Sequence, residues 1–253
     1  MKWTLPTAPL QDRRSLHHQV AARIGGLIAD GTVTPGTVLP NESELGNEFG
    51  VSRTVLREAM KVLGSKGLVE VRRKTGTRVR PASDWNMLDA EVLGWFFTGA
   101  EVPSMLSHLL EFRRLVEPAA ARMAAEFGTP EELQRIATCY LQMEAVADDV
   151  AASVEADLSF HLALLEATHN PFLRSFGGLI QSALRASFRF TSSNHELYLQ
   201  SLKLHKKVCD AVTARKGKLA ESAMTTMLSQ TSEDIVRQSG ALPATKPSSG
   251  TAR

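Results

Sequence analysis

Apolar positions recur along this chain at two periods, and the change of period marks the predicted architecture. In "SLHHQVAARIGGLIADG" the residues Leu16, Val20, Ile24, Leu27 and Ile28 share one helical stripe, and Gly31 can take the left-handed cap that ends it. A turn-rich connector ends at Pro40, after which Asn41 with Glu44 three residues later forms a capping-box start for a short helix facing inward with Leu45 and Phe49 and stopped at Gly50. Ser52 caps a third helix running to about Ser65, with Val55, Leu56, Ala59, Met60 and Leu63 on one arc and Arg53, Thr54, Arg57, Glu58 and Lys61 on the other. The period then shortens: "LVEVRR" and "TRVR" flank "KTG", a β-hairpin with a basic, glycine-containing turn.

From Asp84 onward no strand pattern returns. Seven segments, from "WNMLDAEVLGWFF" and "VPSMLSHLLEFRRLVEPAAARMAAEF" to "GKLAESAMTTMLSQTSEDIVRQ", keep the 3.6-residue period between Gly, Pro or Asn breaks. The expected fold class is therefore mainly α: an N-terminal winged helix-turn-helix followed by an all-α antiparallel helical bundle. The expected boundaries are a loose arm over 1–14, a DNA-binding domain over 15–82, an effector-binding and dimerisation domain over 83–239 and a Pro, Ser and Gly-rich disordered tail over 240–253.

Composition sharpens this picture in three ways. With 43% hydrophobic residues among 253, the chain has material for two cores. No apolar run reaches the roughly 18 to 20 residues that span a bilayer, nor does the N-terminus carry a secretory signal, which predicts a cytoplasmic protein without a membrane partner. The two cysteines, Cys139 and Cys209, lack metal-ribbon spacing and sit in apolar helical patterns, so they are expected as buried free thiols.

Charge is unevenly spread. The net +2 divides into +6 over residues 1–82 and −4 over the remainder, which points the first third toward a polyanion. The major groove of B-DNA admits one helix, and a helix that reads base edges needs long donors near its N-terminus on the face turned from the core. Arg53, Thr54 and Arg57, with Ser52 at the cap, meet that requirement. Asn41 and Ser43, with the amides at the start of the second helix, suit a phosphate, and Lys74, Thr75 and Gly76 in the hairpin turn can reach an adjacent minor groove.

The stretch "PGTVLPNESELGNEFGVSRTVLREAMKVLGSKGLVEVRRKTGTRV" resembles the DNA-binding domain of the GntR superfamily of transcription regulators, through "PG..LP.E.EL", "VSR..LREA", "L..KGL" and a "G..V" wing. Ser43 departs from the pattern, since many relatives carry arginine there. "FRRLVEPAAARMAA", "ADLSFHLALLEATHNPFL" and "LKLHKKVCDAV" resemble the FCD ligand-binding domain of the FadR subfamily, and "DWNMLDAEVLGWFF" is similar to the galactonate-operon repressor group. That resemblance implies a divalent metal held by a carboxylate and histidines at the centre of the bundle, with the effector beside it.

Asp157 and His161, spaced i,i+4, project from one helical face, and His205 on a later helix can join them; one oxygen and two imidazole nitrogens suit Zn, Ni or Mn. Met227 occupies the place of the family's remaining histidine, and a thioether is a poor ligand for those ions. Three readings stand: an open metal site completed by the effector, a metal-free polar pocket of Asp157, His161, His205 and Arg113, or histidines satisfied within a core. Arg113 matches a residue that faces the effector cavity in the family and can grip a carboxylate bidentately, or else pair with Glu117 at i,i+4; Arg185 and Arg189 are further candidates.

Together these features predict a homodimeric repressor of a catabolic operon, bound to pseudo-palindromic operator DNA and released by a small organic acid or sugar acid. A metal-dependent hydrolase using Asp157, His161 and His205 is the competing class. It lacks an additional carboxylate placed as a general base, has no nucleophile motif and leaves the basic third helix without a use. A purely structural helical protein would explain the bundle but not residues 39–80.

Overall fold

The computed structural model describes residues 16–72, 76–97, 102–191 and 195–239. Its contacts divide the chain into two compact units meeting near residue 101. The expected arm over 1–14 and tail over 240–253 lie outside the described residues.

In the first unit, α1 (Leu16–Ala29) and α2 (Glu42–Phe49) both pack on α3 (Arg53–Ser65). Val20, Ile24 and Ile28 are buried with Leu45, Phe49, Leu56, Ala59 and Leu63, whereas Leu16, one turn outside this contact, remains 48% exposed. The helix boundaries follow local chemistry. Asn41 accepts from the Ser43 and Glu44 amides while Glu44 accepts from the Asn41 amide, Gly50 closes α2 at φ 65°, and Ser52 caps α3 through the Val55 amide. Strands β1 (Val69–Arg72) and β2 (Gly76–Val79) pair antiparallel with Val69 opposite Val79, and Val38 bridges to Arg78 at the sheet edge.

A further helix, α4 (Ala90–Phe96), packs on α1 within this unit. Residues 83–97, expected in the bundle, belong by their contacts to the first unit. Trp95 lies over Gly25 of α1, where an added Cβ would come within 2.3 Å of the indole Cε3. Lys66, at the end of α3, ion-pairs with Asp89 at 2.6 Å and Glu91 at 2.9 Å. Gly67, at φ +79°, lets the chain turn against the Asp84 carbonyl, which an added Cβ would meet at 2.2 Å.

The second unit contains, among the described residues, seven helices: α5 (Val102–Phe127), α6 (Pro130–Ala145), α7 (Val150–Glu166), α8 (Pro171–Ser175), α9 (Gly177–Thr191), α10 (His195–Thr213) and α11 (Gly217–Ser239). The segment "PFLRSFGGLIQSALRASFRFT", read as one helix, is two, divided at Phe176 before a glycine pair. α5 runs through Pro118 and packs along α11, and α7 is flanked by α5, α6 and α9. Small residues on α5, including Ala121, Ala124 and Ala125, share a buried cluster with Phe160, Leu164, Val208, Val212, Met224 and Met227. Cys139 and Cys209 are buried free thiols in the same cluster. Burial pushes both thiols up, so they stay protonated and unreactive. No helix of the described residues is long and apolar enough to cross a membrane.

Candidate functional site

Two places gather the residues singled out by sequence. The first is the outer face of α3. Arg53, Thr54 and Arg57 are all exposed there, the packing arc having been filled by Leu56, Ala59, Met60 and Leu63. The first turn of α2 lies against this face: Arg57 Nε donates to both oxygens of Glu42, at 2.9 and 3.1 Å, and Arg53 Nη2 donates to Ser43 Oγ at 3.4 Å. One part of the expectation changes. The amides of Ser43 and Glu44, considered free for a phosphate, are taken by the Asn41 side chain, and the Ser52 hydroxyl is likewise spent on its own helix. A phosphate at α2 would have to displace a cap. Gly76 begins β2 with φ +84°, and Lys74 and Thr75 lie outside the described residues.

The second place is a cavity of about 220 Å³ inside the helical unit. Arg113 from α5, Asp157 and His161 from α7 and His205 from α10 line it, all buried in the bundle. Further along its wall stand Ser187, Phe188, Tyr198, Ser201, Thr231 and Asp234. Ligating atoms of Asp157, His161 and His205 all lie within 4.8 Å of one another. His205 Nε2 is 2.8 Å from Asp157 Oδ1, His161 Nε2 is 3.7 Å from the same oxygen, and the two Nε2 atoms are 3.4 Å apart.

Each ring has polar neighbours on more than one side. The carbonyl of Ser201 can only accept, so His205 Nδ1, 2.8 Å away, donates. The Arg113 guanidinium can only donate, so His161 Nε2, 3.4 Å from Nη2, accepts. The Nδ1 of His161 lies 2.6 Å from Glu117 Oε2, an ion-pair approach rather than an aligned hydrogen bond. The Nε2 atoms of both rings and Asp157 Oδ1 converge, with His205 Nε2 donating to that oxygen at 2.8 Å. A divalent ion taking the place of that proton would be held by these three atoms, with the Ser201 carbonyl and Glu117 behind the rings. The donor set therefore fits a divalent ion with open coordination positions. Met227, standing where the resemblance leads one to expect histidine, is buried in the apolar cluster.

Burial by itself would push the Glu117 carboxyl up, but Arg113 and His161 overcome this and hold it down at about 2. Asp157 also feels burial first, and His205, His161 and Arg113 bring it below the usual carboxylate range. Two ionised carboxylates thus share the site with one guanidinium. Arg113 Nε meets Glu117 Oε1 at 2.5 Å while Nη1 is buried without a hydrogen-bond partner among the described residues, so the salt bridge to Glu117 and the exposure to the cavity coexist. Burial, with Asp157 beside it, pushes the Tyr198 phenol up to about 12, leaving a neutral hydroxyl on the wall.

Arg185 is a correction. It does not line the cavity: its side chain is exposed and paired with Glu155 at 2.9 Å. The side chain of Arg189 lies outside the described residues. Sequence reasoning named Glu117 only as a partner for Arg113; its contact with His161 makes it a member of the cluster. The available signal was the i,i+4 spacing of Glu117 from Arg113, one pair on a helix that also carries Glu111, Arg114, Arg122 and Glu126.

Residues 16–79 match the family described as bacterial regulatory proteins, gntR family, and residues 108–230 match the FCD domain. The "Galactonate operon transcriptional repressor" of Escherichia coli K12 is 38% identical over 218 residues, covering 86% of this chain and 95% of that protein. YieP, an HTH-type transcriptional regulator of the same organism, is 36% identical over 226 residues, covering 88% and 97%. Among solved structures, Lar, which controls the expression of the Listeria monocytogenes agr system, has the same fold with a TM-score of 0.66 at 21% identity, covering 90% of this chain and 99% of that one. The hydrolase alternative draws no support from these likenesses. An exposed helix-turn-helix face, a polar cavity in a helical unit and this extent of likeness converge on one assignment: the chain belongs to the GntR family of bacterial transcription regulators, in the FadR-like group that carries a C-terminal FCD domain.

Proposed function

We propose that this protein is a cytoplasmic, homodimeric repressor of a catabolic operon, released from a pseudo-palindromic operator by a small organic acid or sugar acid. Arg53, Thr54 and Arg57 read the major groove, Ser43 and the cap residues Asn41 and Ser52 lie along the backbone, and Lys74, Thr75 and Gly76 follow the minor groove. In the cavity, Asp157, His161 and His205 hold a divalent ion whose open positions take the effector's carboxylate, while Arg113 grips it from the side. The galactonate operon repressor among the relatives supports an aldonate as one member of the effector class.

The observation that carries this reading is the convergence of His161 Nε2, His205 Nε2 and Asp157 Oδ1 beside an incompletely satisfied guanidinium. Its charge count is favourable to a metal followed by an acid. Metal ligation takes imidazoles neutral, so two carboxylates and one guanidinium leave the buried cluster one negative charge; a divalent ion reverses the sign, and a monocarboxylate restores neutrality.

Thermal-shift titration with Mn, Ni and Zn, then with organic and sugar acids with and without chelator, tests it. A stabilising acid whose effect needs the ion and which reverses a specific gel shift is expected. An acid that reverses the shift equally well after metal removal would leave the metal-free polar pocket as the correct description. No specific shift on any duplex would remove the regulator mechanism itself.

A further inference from the structure

The Arg57–Glu42 pair is set apart from an ordinary surface ion pair by which atoms it uses. Glu42 takes only the Nε donor, with both oxygens at 2.9 and 3.1 Å. The two Nη groups keep their donors, and among the described residues nothing else binds them. A guanidinium held by Nε presents a fork of Nη donors, the geometry that matches guanine O6 and N7 in the major groove. Glu42 is the first residue of a helix whose backbone start is set by the Asn41 and Glu44 capping box and whose N-terminal dipole favours a carboxylate there.

A carboxylate on a face that approaches phosphates also carries a cost. It repels the polyanion and cancels one of the cations that non-specific binding depends on. As a stabilising pair it would contribute little, both side chains being well exposed. The orientation of Arg57 is what the arrangement secures.

We propose that Glu42 is a positioning residue for base readout: it holds Arg57 in the guanine-reading orientation and trades general affinity for sequence discrimination. This rests on the reading of α3 as the DNA-contacting helix. Ser43, donating no charge and 3.4 Å from Arg53 Nη2, holds the neighbouring arginine only weakly, so the two arginines are unequally constrained.

Selection of a randomised duplex library by the full-length protein, followed by titration on the selected site and on an arbitrary duplex, tests the inference with four variants. Arg57→Ala identifies the base pair that Arg57 reads. Glu42→Gln keeps the side chain's shape and removes its charge; Glu48→Gln removes a charge from the same helix at an exposed position and serves as the electrostatic control. Glu42→Asp keeps the charge but shortens its reach.

Expected for Glu42→Gln is tighter binding to arbitrary DNA together with about tenfold weaker discrimination at the base pair that Arg57→Ala loses, and only there. Glu48→Gln should tighten general binding and leave discrimination intact. Glu42→Asp should lose discrimination without the general gain. If Glu42→Gln behaves like Glu48→Gln, Glu42 is only a surface charge and the inference is overturned while the DNA-reading role of Arg57 stands. If the wild type selects no motif, or Arg57→Ala selects the same motif, α3 does not read DNA through Arg57 and both fail.

Discussion

Arg113 has one neighbour that decides its contribution. The Glu117 carboxylate is buried, ionised and dependent on that guanidinium. Replacing Arg113 by Met leaves a charge in the bundle without its main partner, and urea unfolding should show a loss of about 3 to 5 kcal/mol. The double variant Arg113→Met/Glu117→Met removes both charges and should recover most of that loss, because the desolvation penalty disappears with the ion pair. Recovered folding separates stability from ligand capture: the double variant is expected to stay folded yet bind no acid. A single variant as stable as the wild type would mean that Glu117 is not held by Arg113. Asp89 offers a second residue-scale test. Burial opposes its ionisation, but Lys66 overcomes this and holds its carboxyl below the ordinary value, so its contribution is present above about pH 4 and is lost as pH falls through the lowered value. Lys66→Met should cost about 1 to 2 kcal/mol at neutral pH and flatten that acid limb; an unchanged limb would show that the pair does not contribute.

At the scale of elements, α4 shows what a one-dimensional pattern conveys and what it cannot. Periodicity, caps and the Gly50 stop specify α2 and α3 almost to the residue, because each boundary is set by side chains within three or four positions. The hairpin is legible for the same reason. The allegiance of α4 is not, since it depends on Gly25 admitting the Trp95 ring and on Lys66 reaching Asp89 and Glu91, contacts between residues tens of positions apart. The candidate site divides likewise: Asp157 and His161 announce themselves by an i,i+4 spacing, while Glu117 hides behind a local pairing with Arg113. A helical glycine ordinarily gains about 0.5 to 1 kcal/mol when replaced by alanine. At Gly25 the opposite is expected, a loss of about 1 to 3 kcal/mol, because the methyl would enter the indole. Trp95→Leu in the same chain should turn the Gly25→Ala change neutral or favourable. Destabilisation by Gly25→Ala of the same size in both backgrounds would separate α4 from the α1 face.

For the whole molecule, the proposed mechanism makes a demand that neither site can meet alone. A reading helix contacts only a few base pairs, so operator affinity requires two copies on half-sites about one helical turn apart, near 34 Å. Inserting about five base pairs between half-sites turns one of them to the opposite side of the duplex and should abolish specific binding, whereas inserting a full turn should not. Effector action is then a coupling between two equilibria of the proposed dimer, and coupling is reciprocal. If an acid bound at Arg113 and the Asp157, His161 and His205 cluster loosens the operator by a factor within about 5 to 150, the operator must loosen the acid by the same factor. Calorimetric titration of the acid into free protein and into the protein–operator complex, at one salt concentration and with the ion present throughout, measures that factor from the other side. Salt must be held constant because release of counterions from phosphates changes the DNA term steeply while leaving a buried carboxylate pocket nearly untouched. Equal affinities in the two titrations, alongside a gel shift that the acid reverses, would place the acid on the DNA-binding face as a competitor. Matched factors would assign the release to the cavity.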